Sequence, residues 1–325
     1  MTVFKKLLRN PTSLAGLIIL LIFIIMAVGA PWFAPIPERS RDPYMIPRDG
    51  FSTTPKPPSE EHLFGTTEGQ YDIYYGVIWG TRTAFRIGVV ITFITTVIGI
   101  LVGAIAGFYG GWIDELLMRI TEIFQAFPFL LAAITMTSVL QTIYGRGEAG
   151  GLVFMAKIVA FLTFGQNPAE NIDPVQLQIL TGMLAIIFFG WMTIARVMRG
   201  NILSVKEFEY ALAAKTIGAT DMRILFRHLL PNAIFPILVI ASMNIGSYVL
   251  TFAALSFLGL GAQRGYADWG QMISFARNWV PSLIEHWYIV VYPGVTIVLF
   301  VLAWNLVGDA LRDILDPRLR GSGSV

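Results

Sequence analysis

Six stretches of the chain, roughly 14–33, 84–108, 120–140, 177–194, 234–260 and 288–307, are almost wholly apolar. A bilayer core about 30 Å thick takes about 20 helical residues to cross, and each stretch is near that length. Lipid offers no hydrogen-bond partner to an open backbone, so all six have to be helices. The expected fold is therefore an all-α integral membrane protein with six transmembrane helices. Composition points the same way: of 325 residues, 55% are hydrophobic and 14% charged, too little polar surface for a soluble domain of this length. The first run is too long for a signal-peptide core and lacks a small-residue cleavage pattern, so it is expected to remain as a span. A net charge of +2 does not point to nucleic acid. No cysteine is present, which excludes a disulfide framework, thiol catalysis and a thiolate metal site.

An even number of spans puts both termini on one side, and basic residues say which. Lys5, Lys6 and Arg9 precede the first span; Arg119 lies at the start of the third. Arg196, Arg199, Lys206, Lys215, Arg223 and Arg227 lie between the fourth and fifth, and Arg312, Arg318 and Arg320 follow the last. Together these are 13 of the 23 Lys and Arg, and the positive-inside rule makes their side cytoplasmic. The expected organisation is a cytoplasmic segment 1–13, a first span 14–33 and an extracytoplasmic Pro-rich segment 34–83. A five-helix core 84–309 follows, with a cytoplasmic loop 196–232 and an outer loop 142–174, then a cytoplasmic tail 310–325. Residues 31–58 hold eight of the 17 prolines, which predicts irregular chain outside the membrane. The outer run "GLVFMAKIVAFLTF" is too short to span and carries Lys157, so an interfacial or re-entrant helix is expected rather than a seventh span. Arg82 and Arg86 are placed at an outer membrane edge.

The span interiors hold almost no charge, unlike those of ion-coupled carriers. There is no G-x-x-x-x-G-K-[ST] phosphate loop, so no nucleotide site of its own is expected. Work would have to be powered by a partner; the alternative is a passive channel or scaffold. His62, His228 and His286 fall on different sides or far apart, so no metal site is expected.

The cytoplasmic stretch "EYALAAKTIGATDMRILFRHLLPN", residues 209–232, reads as two short helices between spans. Ala211, Ala213, Ala214, Gly218 and Ala219 are small enough to let the first lie close against another surface. Gly218 suits the left-handed position past a helix end. Thr220 can cap the second helix, with Asp221 in its first turn. Met222, Leu225, Phe226, Leu229 and Leu230 follow helical spacing as one apolar face, with Arg223 and Arg227 a turn apart on another. Pro231 is expected to end or kink this helix. Three roles compete: a connecting loop, a DNA-binding helix-turn-helix, and a docking helix for a cytoplasmic motor. Attachment to spans at both ends argues against DNA.

The elbow resembles the cytoplasmic loop motif of ABC-importer permeases, E-A-A-x-x-x-G followed by I-x-L-P. Ala213, Ala214, Gly218, Leu230 and Pro231 fall in register, while Leu212 stands at the Glu position and His228 at the Ile position. "HLFGTTEGQYDIYYGVIWGTRTAF" (62–85) is similar to the signature before the second span in the C-type permeases of dipeptide and oligopeptide importers. His62, Gly65, Thr66, Asp72, Gly80 and Arg82 match, and Thr67, Gln70, Tyr71 and Gly76 depart. "FYGGWIDELLMRITEIFQAFPFLL" (108–131), "SFLGLGAQRGYADWGQMI" (256–273) and "NLVGDALRDILDPRLRG" (305–321) resemble the same branch. Residues 142–176 make this chain longer there than the branch usually is.

The resemblance implies a type I importer permease in the inner membrane, with alternating access driven by ATP. It implies a second homologous permease, two ATP-binding subunits and an extracytoplasmic substrate-binding protein as partners, beside membrane lipid and without nucleic acid. ATP and Mg would sit on the partner subunits and no cofactor on this chain. Coupling to the ATPase would fall on Glu209, Tyr210, Ala213, Ala214, Lys215, Gly218, Ala219, Leu230 and Pro231. The cargo would be short peptides; oligosaccharides and nickel chelates are carried by the same branch. From the residues themselves, Ser242, Asn244, Ser247 and Thr251 form a polar stripe on the fifth span that suits either a pathway lining or helix-to-helix contact. The aromatic stretch 265–288 is expected to be an interfacial belt, the alternative being a landing surface for the binding protein.

Overall fold

The structure, a computed structural model, describes residues 10–38, 42–145, 150–165 and 174–315. Lys5, Lys6, Arg9, Arg318 and Arg320, and residues 146–149 and 166–173 of the outer loop 142–174, lie outside them. Among the described residues five helices are long and apolar enough to cross a membrane, and a bent pair makes a sixth when read as one span. Among the described residues there is no strand longer than an isolated bridge.

Helix α1 (Pro11–Phe33) starts on Asn10, whose side chain accepts the Thr12 N–H at 3.1 Å, with Pro11 at the first helical position. Helix α2 (Ile73–Tyr109) is capped by Asp72, which accepts the Tyr75 N–H at 2.8 Å. Its 37 residues extend about 55 Å, so it projects well beyond a bilayer. Its start at Ile73 places Arg82 and Arg86 inside the helix, each over an aromatic face: Arg82 on Trp79 and Arg86 on Tyr44.

The third span is not the continuous helix 120–140 expected from its composition. Helix α3 (Gly111–Gln125) meets α4 (Phe129–Gly145) at 88°. Pro128 lacks an N–H and disfavours helical backbone at Phe127, so the break falls there. Helix α3 is amphipathic: Asp114 makes a bidentate ion pair with Arg199, while Trp112, Leu116 and Ile123 are exposed. Helix α5 (Gly150–Phe164) is apolar apart from Lys157 and, at about 22 Å, too short to cross. Ala156, Val159, Ala160 and Thr163 bury one face, consistent with its packing on the bundle.

Helix α6 (Pro174–Lys206) packs along α2 through a glycine ladder. A Cβ at Gly99 would lie 2.7 Å from Ile194 Cβ, at Gly103 2.2 Å from the Ala195 carbonyl, and at Gly107 2.8 Å from the Arg199 carbonyl. The four-residue spacing puts all three on one face and lets the two backbones touch. The elbow follows as α7 (Glu209–Thr216), α8 (Asp221–Arg223), a π-helical turn Ile224–Leu229 and α9 (Leu230–Ala233). The chain re-enters the bundle as α10 (Phe235–Phe257). Helix α11 (Trp269–Ser274), a 3-10 segment Phe275–Ser282 and the last span α12 (Tyr288–Leu315) complete it.

Residues 42–72 fold as an irregular collar over the end of the bundle opposite the elbow. Bridges Met45–Tyr266, Arg48–Tyr71 and Thr66–Asp72 pin it. The interfacial belt expected of 265–288 is met only in part: Trp287 is 45% exposed, whereas Trp269, Tyr266 and Tyr288 are at most 3% exposed. Trp269 packs on Phe23 and Phe300 and donates to the Val77 carbonyl at 3.2 Å, so α11 is wedged into the core by both its ring and its N–H.

Candidate functional site

The elbow has its own small core. Ala211 and Ala214 of α7 pack with Ile202 and Val205 at the end of α6, with Ile224, Leu225 and Leu229, and with Ala233 and Ile237 leading into α10. The small residues therefore seat the elbow on its own chain; the outward face is Leu212, Ala213, Lys215 and Thr216. Glu209 is exposed, Tyr210 is half-buried beside Phe208, Ala219 and Leu230 pack on the small core, and Pro231 is exposed.

Gly218 ends α7 with φ +77°. The Ala219 N–H reaches the Ala214 carbonyl at 3.1 Å and the Gly218 N–H the Lys215 carbonyl at 3.0 Å. That pair of bonds is the Schellman arrangement, which needs a left-handed residue at this position. Thr220 has the extended backbone of a cap but makes no side-chain cap bond.

The second half of the elbow differs from its sequence pattern. Met222 and Phe226 are exposed, and Ile224, Leu225 and Leu229 are the buried face. The cause is the π turn, in which Leu230 N–H bonds to the Leu225 carbonyl five residues back. The wider register rotates the side chains, and it delivers the backbone to Pro231 without a break. The break comes after Ala233. Phe208, Leu212, Ile217, Met222 and Phe226 are left as exposed apolar residues along the elbow, with Ile217 84% exposed.

Above the elbow, α6 and α10 diverge around a cavity of about 510 Å³. Asn244, Ser247 and Thr251 line it together with Thr193 of α6 and Gln125 at the α3–α4 bend. Ser242 does not: it is buried, its hydroxyl donates to the Val239 carbonyl at 2.7 Å, and it abuts Gly308. Phe124, Phe127, Phe129, Phe189 and Tyr248 supply its aromatic wall, and among the described residues no charged side chain lines the cavity. Sequence spacing identified the α10 stripe; Gln125 and Thr193 were missed because only the 88° bend brings α3 and α6 to the same wall. Such a surface offers amides, hydroxyls and rings to a passing solute and holds none by charge. In the cavity wall Tyr248 OH donates to the Gly190 carbonyl at 2.9 Å, and farther along the α6–α10 seam Gln178 Nε2 donates to the Gly259 carbonyl at 3.0 Å.

The collar holds a polar network. His62 Nδ1 is 2.7 Å from Asp72, its Nε2 3.4 Å from Asp49, and Asp49 is 2.7 Å from Lys56. Burial works to lower the His62 pKa, but its bonds to Asp72 and Asp49 outweigh it and leave the pKa raised. Asp49, Glu61 and His62 bring ligand-type atoms within 4.8 Å of one another, but Lys56 and Asp72 already engage two of the three. Asp268 caps α11 by accepting the Gln271 N–H at 2.8 Å, and its complete burial pushes its pKa up to about 6.

Comparison with known proteins agrees with this architecture. Residues 99–321 match the family described as binding-protein-dependent transport system inner membrane component. Residues 2–58 match the N-terminal TM domain of oligopeptide transport permease C. The dipeptide transport system permease protein DppC of Alkalihalophilus pseudofirmus is 34% identical over 98% of this chain and 89% of that protein. DppC of Bacillus subtilis is 33% identical over 98% of this chain and 85% of its own length. The glutathione transport system permease protein GsiD of Escherichia coli O157:H7 is 33% identical over 98% of this chain and 90% of its own length. With a broken third span, an elbow between α6 and α10 and matches across nearly its whole length, this chain belongs to the inner-membrane permeases of binding-protein-dependent transport systems, in their dipeptide and oligopeptide branch.

Proposed function

We propose that this chain forms half of the translocation pathway of an ATP-driven importer of short peptides. The observation that carries the proposal is the full-length similarity to dipeptide and glutathione permeases. The uncharged cavity between α6 and α10 fits it, since a peptide backbone can be passed along amides and hydroxyls without being held. The elbow end faces the cytoplasm with both termini, as the distribution of Lys and Arg favours. A second homologous permease closes the open side of the cavity. Two ATP-binding subunits, which hold ATP and Mg, engage the elbow, and an extracytoplasmic binding protein delivers cargo to the collar. This chain binds no cofactor itself.

The elbow's small core gives a physical route for coupling. Its residues come from the end of α6, from α7, from the π turn, from α9 and the start of α10, with Ala104 of α2 against them. A push on α7 is therefore applied to both helices that wall the cavity. Transport requires that the motor contact the elbow differently in its two nucleotide states, because contact alone shifts no equilibrium.

The test is co-purification from the native membrane with a cross-linkable cysteine at Ala213, which is exposed on the outward face of α7. Cross-linking to an ATP-binding subunit, with a yield that changes with nucleotide, is expected, as is uptake of dipeptide by the reconstituted complex. A chain that purifies alone, with Ala213→Cys freely labelled, would sink the motor-driven reading and restore a channel or scaffold. Uptake of oligosaccharide or nickel chelate instead of peptide would overturn the cargo alone.

A further inference from the structure

A second cavity, of about 390 Å³, lies at the collar end of the same α6–α10 seam. Gln178 of α6 and Ser256 of α10 line it, as Thr193 and Asn244 line the central one. The two differ in charge: no charged side chain lines the central cavity, whereas this one is lined by Arg264 and Arg277 and by no carboxylate.

The two arginines are not equivalent. Arg264 is paired with Glu68 at 2.8 Å, and the other Glu68 oxygen accepts from Asn278 at 2.8 Å. Both oxygens of that acid are therefore engaged. Arg277 makes no ion pair among the described residues; its guanidinium lies 4.4 Å over the ring of Phe257. A ring beneath a guanidinium fixes its plane and leaves the N–H edge free for a planar, two-oxygen acceptor. Of the neighbouring amides, Gln271 Oε1 accepts from the Gly265 N–H at 3.2 Å and Gln178 Nε2 donates to the Gly259 carbonyl at 3.0 Å. Arg277 is thus the oriented cation at this cavity that no carboxylate engages among the described residues.

We infer that this cavity is a receiving site for the carboxylate of the cargo, with Arg277 as its specificity-determining residue. The inference rests on the peptide-importer reading, which places the cavity at the extracytoplasmic mouth. A peptide released there is held by its carboxyl group before the seam opens. The held group must be given up to cross the uncharged cavity beyond, so the contact has to be weak. An exposed arginine pair meets that need, contributing about 1 kcal/mol or less, which is about fivefold in affinity.

The experiment uses the whole complex with its binding protein in proteoliposomes, supplied with alanyl-alanine or its C-terminal amide. Arg277→Gln is expected to raise the half-saturating concentration of the acid about fivefold and leave that of the amide unchanged, while Arg277→Lys keeps most of the wild-type value. Because each variant is compared with wild type on the same cargo, the binding protein's own preference cancels. An equal effect on acid and amide overturns the inference. That result, with weaker docking of cargo-free binding protein, would assign Arg277 to a carboxylate of the binding protein. No effect on either cargo overturns it too. If wild type carries only the acid, loss with Arg277→Lys equal to that with Arg277→Gln overturns it, and retention supports it. Wild type that carries neither peptide removes the importer reading beneath it, a failure visible without any variant.

Discussion

The elbow and the collar are both outside the spans, yet they are built on opposite plans. The collar is continuous with the main core: Tyr44, Ile46 and Tyr71 are buried in one cluster with Tyr266, Trp269 and Phe275 and with residues of α1, α2, α10 and α12. The elbow's core is separate and small, a dozen buried side chains of which four are alanine. Within 42–72 the large apolar side chains left exposed are Phe51 and Leu63, whereas the elbow leaves Phe208, Leu212, Ile217, Met222 and Phe226 outside. A part fused to the main core moves only if the core moves. A part on its own small core can tilt as a unit and still pull on the helices that anchor it. The difference makes the collar the fixed reference and the elbow the lever.

The same substitution at two glycines breaks or sharpens that contrast. Gly270 lies in α11, and a Cβ there would fall 2.0 Å from the Ala253 carbonyl, a backbone atom with nowhere to go. Gly270→Ala should therefore cost about 3 kcal/mol or more through overpacking, lowering the melting temperature of the purified protein and the amount that assembles. Gly218 is the reverse case: φ is +77° and nothing lies within 4 Å of an added Cβ. Gly218→Ala pays backbone strain of about 1 kcal/mol and no clash. Its expected effect is faster amide exchange across 209–219, with the global melting temperature nearly unchanged. A Gly218→Ala protein that melts as early as Gly270→Ala would show that the elbow belongs to the main cooperative unit, and the lever picture would fail.

How far the sequence reaches can be judged on these same regions. Five spans are legible because 20 apolar residues in lipid admit one solution. Gly218 is legible because the Schellman motif is local: its two bonds join residues within one turn of each other. The α3–α4 bend is harder to see, since Pro128 sits in an apolar run and composition alone reads through it. The π turn at Ile224–Leu229 defeats helical periodicity outright; a pattern of 3.6 residues assigns Met222 and Phe226 to the inside when a wider turn puts them outside. The glycine ladder at 99, 103 and 107 is plain in the sequence once its partner is known, but nothing local names α6 as that partner. The buried aromatics of the collar are misread for a related reason. Trp and Tyr at a membrane boundary usually face the interface, and only the fold of 42–72 over them turns them inward.

The smallest expected effect tests whether the collar is as fixed as it looks. His62 is 11% exposed and faces Asp72 and Asp49, with Lys56 on the far side of Asp49 and Glu61 beside it. Its raised pKa means that the folded collar binds the imidazolium more tightly than the unfolded segment does. The latch is therefore fully formed below the free-imidazole value of 6.5 and is lost as pH rises through the higher native value. Asp72 must still cap α2 through the Tyr75 N–H after the imidazole loses its charge, so the collar should loosen and not unfold. Amide exchange over 42–72 should be slower at pH 6 than at pH 9 in the wild type beyond the intrinsic rate difference, and His62→Gln should abolish that excess. Equal pH dependence in both proteins would mean that the aromatic packing alone holds the collar, making it still more rigid relative to the elbow.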